Sequence, residues 1–153
     1  VGGERPRRLA RLAQALRRQG VGAGDRVAAY LPNMPEAIIG MLATSSIGAI
    51  WSSCSPDFGV QGVLDRFGQI EPKVLLAVDG YWYNGKPIDT LDKVRDIAAR
   101  LPTVERVVLV PYLAEAPATA GIERAVTLPH FIAPFAAGGI AYERLPFNHP
   151  LYI

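Results

Sequence analysis

Apolar residues along the chain follow two spacings in turn, one typical of helices and one of strands. Helical spacing predicts helices over about residues 7–19, 36–46, 60–70 and 90–101. Short apolar runs predict strands at 27–31, 49–52, 74–78 and 106–110. The run at 74–78 has no polar residue, which is typical of a parallel strand covered on both faces. This alternation predicts an α/β fold, a Rossmann-like or flavodoxin-like three-layer sandwich with a mostly parallel sheet.

The second predicted helix has a candidate capping box at its start. Asn33 and Glu36 are three positions apart, so each side chain can accept a hydrogen bond from the other's backbone. Asp57 is a candidate cap for the third helix. The apolar face of the second helix is predicted to consist of Ile38, Met41, Leu42 and Ile47.

The pattern changes in the last quarter of the chain. Residues 1–113 form the predicted α/β subdomain, whereas 114–153 are rich in proline, glycine and alanine and predict loops and short elements. Only 131–135 and 140–145 indicate local structure there. Residues 151–153 are apolar with strand character, an unusual place for a domain to end. We therefore expect an incomplete subdomain with exposed apolar surface and a tendency to self-associate.

The glycines at positions 20, 22 and 24 suggest a dinucleotide-binding loop, but their context is wrong. A phosphate-binding loop leaves a strand and opens a helix, whereas these glycines precede the first strand. They are predicted instead to end the first helix.

Asp79, at the end of the strand 74–78, suggests the phosphate-accepting aspartate of a receiver domain. Receivers also need an acidic pair after the first strand to hold a metal ion. Residues 31–33 at that position are Leu, Pro and Asn. The sequence therefore argues against a receiver.

Composition narrows the functional classes further. The net charge is only +2, and the arginines of the first helix have no interleaved aromatic residues, so no nucleic-acid partner is predicted. A single cysteine, Cys54, excludes an internal disulfide, and His130 and His149 lack metal-ligand spacing. No apolar run approaches the roughly 20 residues that span a bilayer. We expect a soluble cytoplasmic protein without a membrane partner.

The stretch 47–67 carries the strongest indication of a binding site. An apolar strand ends in small polar residues, Pro56 and Asp57 turn the chain, and a helix follows, which is how open α/β sheets build ligand crevices. Asn84 and Gly85 predict a second feature, a short hairpin followed directly by Lys86. Cys54 has no base placed beside it by any motif, so it is interpreted as a small buried residue.

Residues 24–77, GDRVAAYLPNMPEAIIGMLATSSIGAIWSSCSPDFGVQGVLDRFGQIEPKVLLA, resemble acetoacetyl-CoA synthetases of the adenylate-forming acyl-CoA synthetase superfamily. The later segments DGYWYNGKPID, VERVVLVPYL and ERLPFNHPLYI are similar to the same family in the same order. The motifs SSCSPDFG, QGVLDRF and QIEPK are specific to the acetoacetyl-CoA synthetase branch of the superfamily.

This resemblance implies an N-terminal fragment of a two-step ligase. Acetoacetate and ATP, with Mg²⁺, would form an acyl adenylate and pyrophosphate, and the thiol of coenzyme A (CoA) would then displace AMP. The phosphate-binding loop, adenine pocket and catalytic lysine of the family would lie downstream, so no catalytic or metal-binding residue is assigned here. The fragment is expected to be inactive alone. The alternative is a stand-alone CoA- or nucleotide-binding module, or half of a split protein.

The resemblance also implies which residues face CoA. Pro56, Asp57 and Phe58 match a turn beside the pantetheine arm. Trp82 and Lys86 match a pair of cations near the 3′-phosphate of CoA; Lys86 keeps the charge, whereas Trp82 departs from it and is a candidate for stacking or for plain packing.

Overall fold

Within residues 3–153, which this computed structural model describes, five parallel strands form the central sheet. The strands, in chain order, are β1 (Arg26–Tyr30), β2 (Ile50–Cys54), β3 (Val74–Val78), β4 (Gly80–Tyr83), β5 (Lys86–Asp89), β6 (Arg106–Val110) and β7 (Ala125–Thr127). The sheet order is β2-β1-β3-β6-β7, and every pairing is parallel. This is the flavodoxin-like order, so the predicted α/β fold class is confirmed.

Helices cover both faces of the sheet. They are α1 (Glu4–Arg18), α2 (Pro35–Ser46), α3 (Val60–Ile70), α4 (Leu91–Ala99) and α5 (Leu128–Ile132). Residues of α1, α2 and α5 share one buried core with the sheet, and residues of α3 and α4 share the other. Successive strand residues therefore alternate between the two cores, and the three-layer sandwich is confirmed.

Gly20 ends α1 in the way the glycine run predicts. Its φ of +91° is left-handed. The N–H of Val21 donates to the carbonyl oxygen of Leu16 at 3.0 Å, and the N–H of Gly20 donates to the carbonyl oxygen of Arg17 at 3.0 Å. This pair of bonds is a Schellman motif. The glycines turn the chain towards β1.

The predicted capping box at the start of α2 is wrong. The residue preceding α2 is Met34, without a side-chain capping bond, and Pro35 takes the first helical position. Proline suits that position because its missing N–H would have no helical partner. The helix thus starts beyond Asn33, and the Glu36 carboxylate instead pairs with Arg8 at 2.8 Å.

The predicted apolar face of α2 is wrong at two of its four positions, since Ile47 is buried and Met41 packs against the core as predicted. Ile38 and Leu42 are 56% and 45% exposed, whereas the buried face consists of Ile39 and of smaller residues such as Gly40 and Ala43. A Cβ atom built on Gly40 would lie only 2.7 Å from Cη2 of Trp51. The close approach of the helix to the sheet therefore requires glycine at position 40, and Ile38 and Leu42 lie on the outward side of the helix.

These outward residues of α2 contribute to an apolar groove of about 400 Å³, which we call the α2 groove. It is lined by Arg5, Pro6, Leu9, Pro35, Ile38, Ile39, Leu42, Ile140 and Tyr142.

The predicted hairpin is confirmed as the antiparallel pair β4–β5. Asn84 and Gly85 join the strands with φ of +50° and +72°, the positive values that a two-residue type I′ turn requires. At the base of the hairpin, the Thr90 hydroxyl donates to the carbonyl oxygen of Val78 at 2.6 Å. The hairpin is thereby fixed to the end of β3.

Asp79 has a structural role at the same place. Its buried carboxylate accepts hydrogen bonds from the backbone N–H groups of Tyr112, Leu113 and Ala114 at 2.8, 3.0 and 2.8 Å. The carboxylate therefore holds the loop that follows β6.

The segment after residue 113 contributes more regular structure than the sequence pattern predicts. Strand β7 pairs with β6, and helix α5 packs against α1, although the proposed boundary at 113 stays a prediction. Residues 151–153 have the expected strand character. The N–H of Trp51 donates to the carbonyl oxygen of Leu151 at 3.1 Å, and the N–H of Ile153 donates to that of Trp51 at 2.8 Å. This short pairing covers the outer edge of β2.

Candidate functional site

A cleft of about 440 Å³ lies beyond the carboxyl ends of β1, β2 and β3. In a sheet of this order the direction of the connections reverses between β1 and β3, and ligands of open α/β sheets bind beside that reversal. The cleft, called here the strand-end cleft, is lined by Leu31, Pro32, Asn33, Ser53, Cys54, Ser55, Pro56, Asp57, Tyr81 and Tyr83. The hydroxyl, amide and carboxylate groups of this set suit a polar ligand.

The turn after β2 forms one wall of the strand-end cleft. Strand β2 continues to Cys54, two residues beyond its predicted end, and the N–H of Phe58 donates to the carbonyl oxygen of Ser55 at 3.2 Å. Gly59 precedes α3 without a side-chain capping bond, so the prediction that Asp57 caps this helix is wrong. Because Asp57 is not used as a cap, its exposed carboxylate remains on the cleft wall.

Tyr30 supports this turn from inside the sheet. Its side chain is fully buried, and its hydroxyl lies 2.7 Å from the carbonyl oxygen of Pro56 and 2.8 Å from that of Phe58. Burial raises the pKa of Tyr30 to about 12, so the hydroxyl keeps its proton and acts as a donor at neutral pH. Sequence reasoning missed this residue. The only signal in the sequence was the position of this tyrosine at the end of an apolar strand. A tyrosine buried there needs a hydrogen-bond partner for its hydroxyl.

Phe58 lies outside the strand-end cleft and contacts α3 instead. The guanidinium of Arg66 lies over its ring, 4.6 Å from the centroid. At that distance the cation is attracted by the electron-rich face of the ring. Phe58 therefore anchors the turn to α3, whereas Pro56 and Asp57 line the cleft.

Cys54 is buried at the base of the strand-end cleft. Burial raises the pKa of its thiol, and the nearby Arg66 guanidinium opposes this only in part. A protonated, buried thiol is a weak nucleophile. The structure thus agrees with the interpretation of Cys54 as a small buried residue.

The hairpin supplies the facing wall through Tyr81 and Tyr83. Lys86 pairs with Tyr83 across the hairpin and so shares its face. Trp82 pairs with Pro87 and lies on the other face, 56% exposed. The structure thus brings Pro56 and Asp57 together on the cleft and places Lys86 on the same hairpin face as Tyr83, although Lys86 itself does not line the cleft. Phe58 and Trp82 lie outside the cleft.

A metal centre built by the protein alone needs a cluster of metal-binding side chains. Across residues 3–153, no three His, Cys, Asp or Glu side chains lie where they could hold one ion together.

Every helix found in the described part of the chain is too short or too polar to cross a bilayer.

Comparison with known proteins gives concordant matches. The sequence profile of a family described as AMP-binding enzyme matches residues 3–139. Acetoacetyl-coenzyme A synthetase from Rhizobium meliloti (strain 1021) is 63% identical over 95% of the chain, and the Mus musculus acetoacetyl-CoA synthetase is 48% identical over 95%. The solved acetoacetyl-CoA synthetase of Streptomyces lividans superimposes with a TM-score of 0.88 at 45% identity over 97% of the chain.

The chain spans only 22% of the length of each of these three relatives. Within that span the sequence profile, the identities and the backbone superposition agree, and the profile covers most of the residues. The chain therefore belongs to the AMP-binding enzyme family.

Proposed function

We propose that the chain forms the CoA-facing part of an acetoacetate–CoA ligase. In that reaction the carboxylate of acetoacetate attacks the α-phosphate of ATP, releasing pyrophosphate, and the thiol of CoA then displaces AMP to give acetoacetyl-CoA. The observation that carries the proposal is the 63% identity to an acetoacetyl-coenzyme A synthetase across 95% of the chain.

The strand-end cleft supports a binding role for this part of the ligase. The pantetheine arm of CoA carries amides and a hydroxyl, which match the hydroxyl and amide groups of Ser53, Ser55 and Asn33 on the lining. We assign Pro56 and Asp57 to contact with the arm and Lys86 to a phosphate, for which its compact ammonium is suited. Phe58 and Trp82 lie off the cleft, so their proposed contribution is indirect.

The proposal assigns orientation of CoA, and no catalytic step, to these residues. The thiol of Cys54 is buried and its pKa is raised, and the attacking sulfur in the reaction belongs to CoA. ATP, acetoacetate and Mg²⁺ are substrates and cofactor of the proposed complete ligase, which we place in the cytoplasm. By itself the chain should show no acetoacetate-dependent exchange of pyrophosphate into ATP.

A chimera tests the proposal directly. This chain replaces the matching segment of the Rhizobium meliloti relative, to which it is 63% identical. The chimera should form acetoacetyl-CoA from acetoacetate, ATP and CoA, whereas acetate should be a poor substrate. A folded chimera that exchanges pyrophosphate but forms no thioester would contradict the CoA assignment.

The alternative is a stand-alone CoA- or nucleotide-binding module. It is favoured by one observation, namely that the lining of the strand-end cleft carries the polar side chains of Asn33, Ser53 and Asp57 beside the point where the strand connections reverse. Calorimetric titration of the isolated chain with CoA decides this point. Saturable binding supports the module, and its absence leaves the ligase segment as the better account.

A further inference from the structure

The turn at residues 56–58 has little support of its own. Its local backbone bond is the one from the N–H of Phe58 to Ser55, and both Asp57 and Phe58 are exposed. The carbonyl groups of Pro56 and Phe58 instead point inward to the hydroxyl of Tyr30. One buried side chain is thus the hydrogen-bond partner of both inward-facing carbonyl groups of this wall of the strand-end cleft.

Tyr30 is a rigid anchor for this purpose. It lies at the end of β1, which is hydrogen-bonded to β2 on one side and β3 on the other. Its ring is fully enclosed by the core that α3 and α4 share with the sheet. One hydroxyl proton serves two carbonyl oxygens, so both ends of the turn are drawn to a single point.

Arg66 holds the same turn from the side of α3. Its guanidinium covers the ring of Phe58 at 4.6 Å and also lies close enough to Cys54 to affect its thiol. Both neighbours of Asp57 are therefore held in place, Pro56 and Phe58 through their carbonyl groups and Phe58 also through its ring.

We propose that Tyr30 and Arg66 are positioning residues that fix the 56–58 turn in the shape that receives CoA. Neither side chain lines the strand-end cleft, so each acts through the turn. The second half of this inference rests on the proposed function; the first half, that the two side chains hold the turn, does not.

Hydrogen exchange of the 153-residue chain tests the first half. Tyr30→Phe removes only the hydroxyl and keeps the ring. The amide of Phe58 should exchange about tenfold faster, because the loss of a buried hydrogen bond corresponds to about that factor. The amide of Leu75, in the centre of the sheet, should be unaffected. An unchanged exchange rate of the Phe58 amide would show that Tyr30 does not hold the turn, whatever the effect on CoA binding.

Kinetics of the chimera test the second half. Tyr30→Phe should raise the KM for CoA about fivefold to tenfold, with kcat and pyrophosphate exchange nearly unchanged, because adenylation does not use CoA. Arg66→Met should give a smaller rise of about twofold to threefold. Equal losses in both half-reactions would indicate a general folding defect and overturn the positioning role.

Tyr142→Phe is the matched control, since Tyr142 is exposed in the α2 groove and its hydroxyl change should alter neither readout. If the parent chimera forms thioester but Tyr30→Phe leaves the KM for CoA unchanged, the link from turn to CoA is wrong. If Tyr30→Phe speeds exchange of the Phe58 amide while the parent chimera forms no thioester, the support of the turn by Tyr30 is confirmed and the proposed function fails.

Discussion

Trp82 and Lys86 lie on opposite faces of the β4–β5 hairpin. Trp82 is paired with Pro87, whereas Lys86 is paired with Tyr83, whose side chain lines the strand-end cleft. Successive residues of a strand point to opposite faces, so the two side chains leave the hairpin in different directions. The resemblance placed them as a pair; the geometry makes them independent.

We predict that Lys86→Ala lowers the affinity for CoA about threefold to fivefold, because an exposed charge contact contributes up to about 1 kcal/mol. The loss should shrink at high salt and should vanish with dephospho-CoA, which lacks the 3′-phosphate. Calorimetric titration of the chimera measures both.

Trp82→Ala should change CoA affinity less than twofold, and its effect should add to that of Lys86→Ala because the side chains do not touch. Lys93→Ala on α4 is the matched control for loss of a positive charge. Strong coupling between the Trp82 and Lys86 variants would refute the opposed placement.

Gly40→Ala is predicted to destabilise the fold by about 1–2 kcal/mol. The added methyl group would lie 2.7 Å from Cη2 of Trp51, whose ring is buried and cannot move away. Gly68→Ala on α3 is the matched control, because nothing lies within 4 Å of its Cβ position. That variant should gain about 0.5–1 kcal/mol from helix propensity. Urea unfolding of both variants gives the comparison, and equal effects would contradict the close packing of α2.

Asp79→Asn is predicted to cost about 2–3 kcal/mol of stability. The amide offers one acceptor oxygen to three backbone N–H donors and brings an N–H₂ group of its own towards them. Asp96→Asn on α4, which removes an exposed carboxylate, should cost less than about 0.5 kcal/mol. Thermal and urea unfolding measure the difference, and a neutral Asp79→Asn would show that the loop after β6 does not depend on the carboxylate.

Alkaline unfolding should depend on Tyr30. Its pKa is raised from 10.0 to about 12 in the folded state, so folding favours the protonated hydroxyl. This contribution is complete below pH 10 and is lost as the pH rises towards 12, amounting to about 3 kcal/mol over the two units. Tyr30→Phe should lose less stability than the parent between these pH values. Unfolding in urea at each pH, with tyrosinate absorbance as a second signal, measures it; parallel losses would contradict the shift.

The sequence was sufficient for most strands and for the hairpin because these features are local. The apolar run of β3 and the Asn84–Gly85 turn each have a distinct composition, and both were found where predicted. Strand β7 was missed because its three residues are only half buried, and its place in the sheet depends on pairing with β6. No local pattern distinguishes such a strand from a loop.

Errors in the predicted site and in α2 have a common physical origin. The requirement for glycine at position 40 of α2 follows from the close approach of Trp51, and the importance of Tyr30 follows from carbonyl groups of a turn in another part of the chain. Both depend on distances between elements, which periodicity does not encode. The turn at Pro56 and Asp57 could be predicted, but its support could not.

The pairing of Trp51 with residues 151–153 also affects how the chain meets other copies of itself. An open β2 edge would offer unpaired donors and acceptors to a second sheet, a common route to aggregation. Here part of that edge is occupied, and the opposite edge is β7, only three residues long. Strand-to-strand fibre growth is thereby disfavoured at both ends of the sheet. Self-association should therefore proceed through the α2 groove and should weaken when Ile38 is replaced by a charged residue.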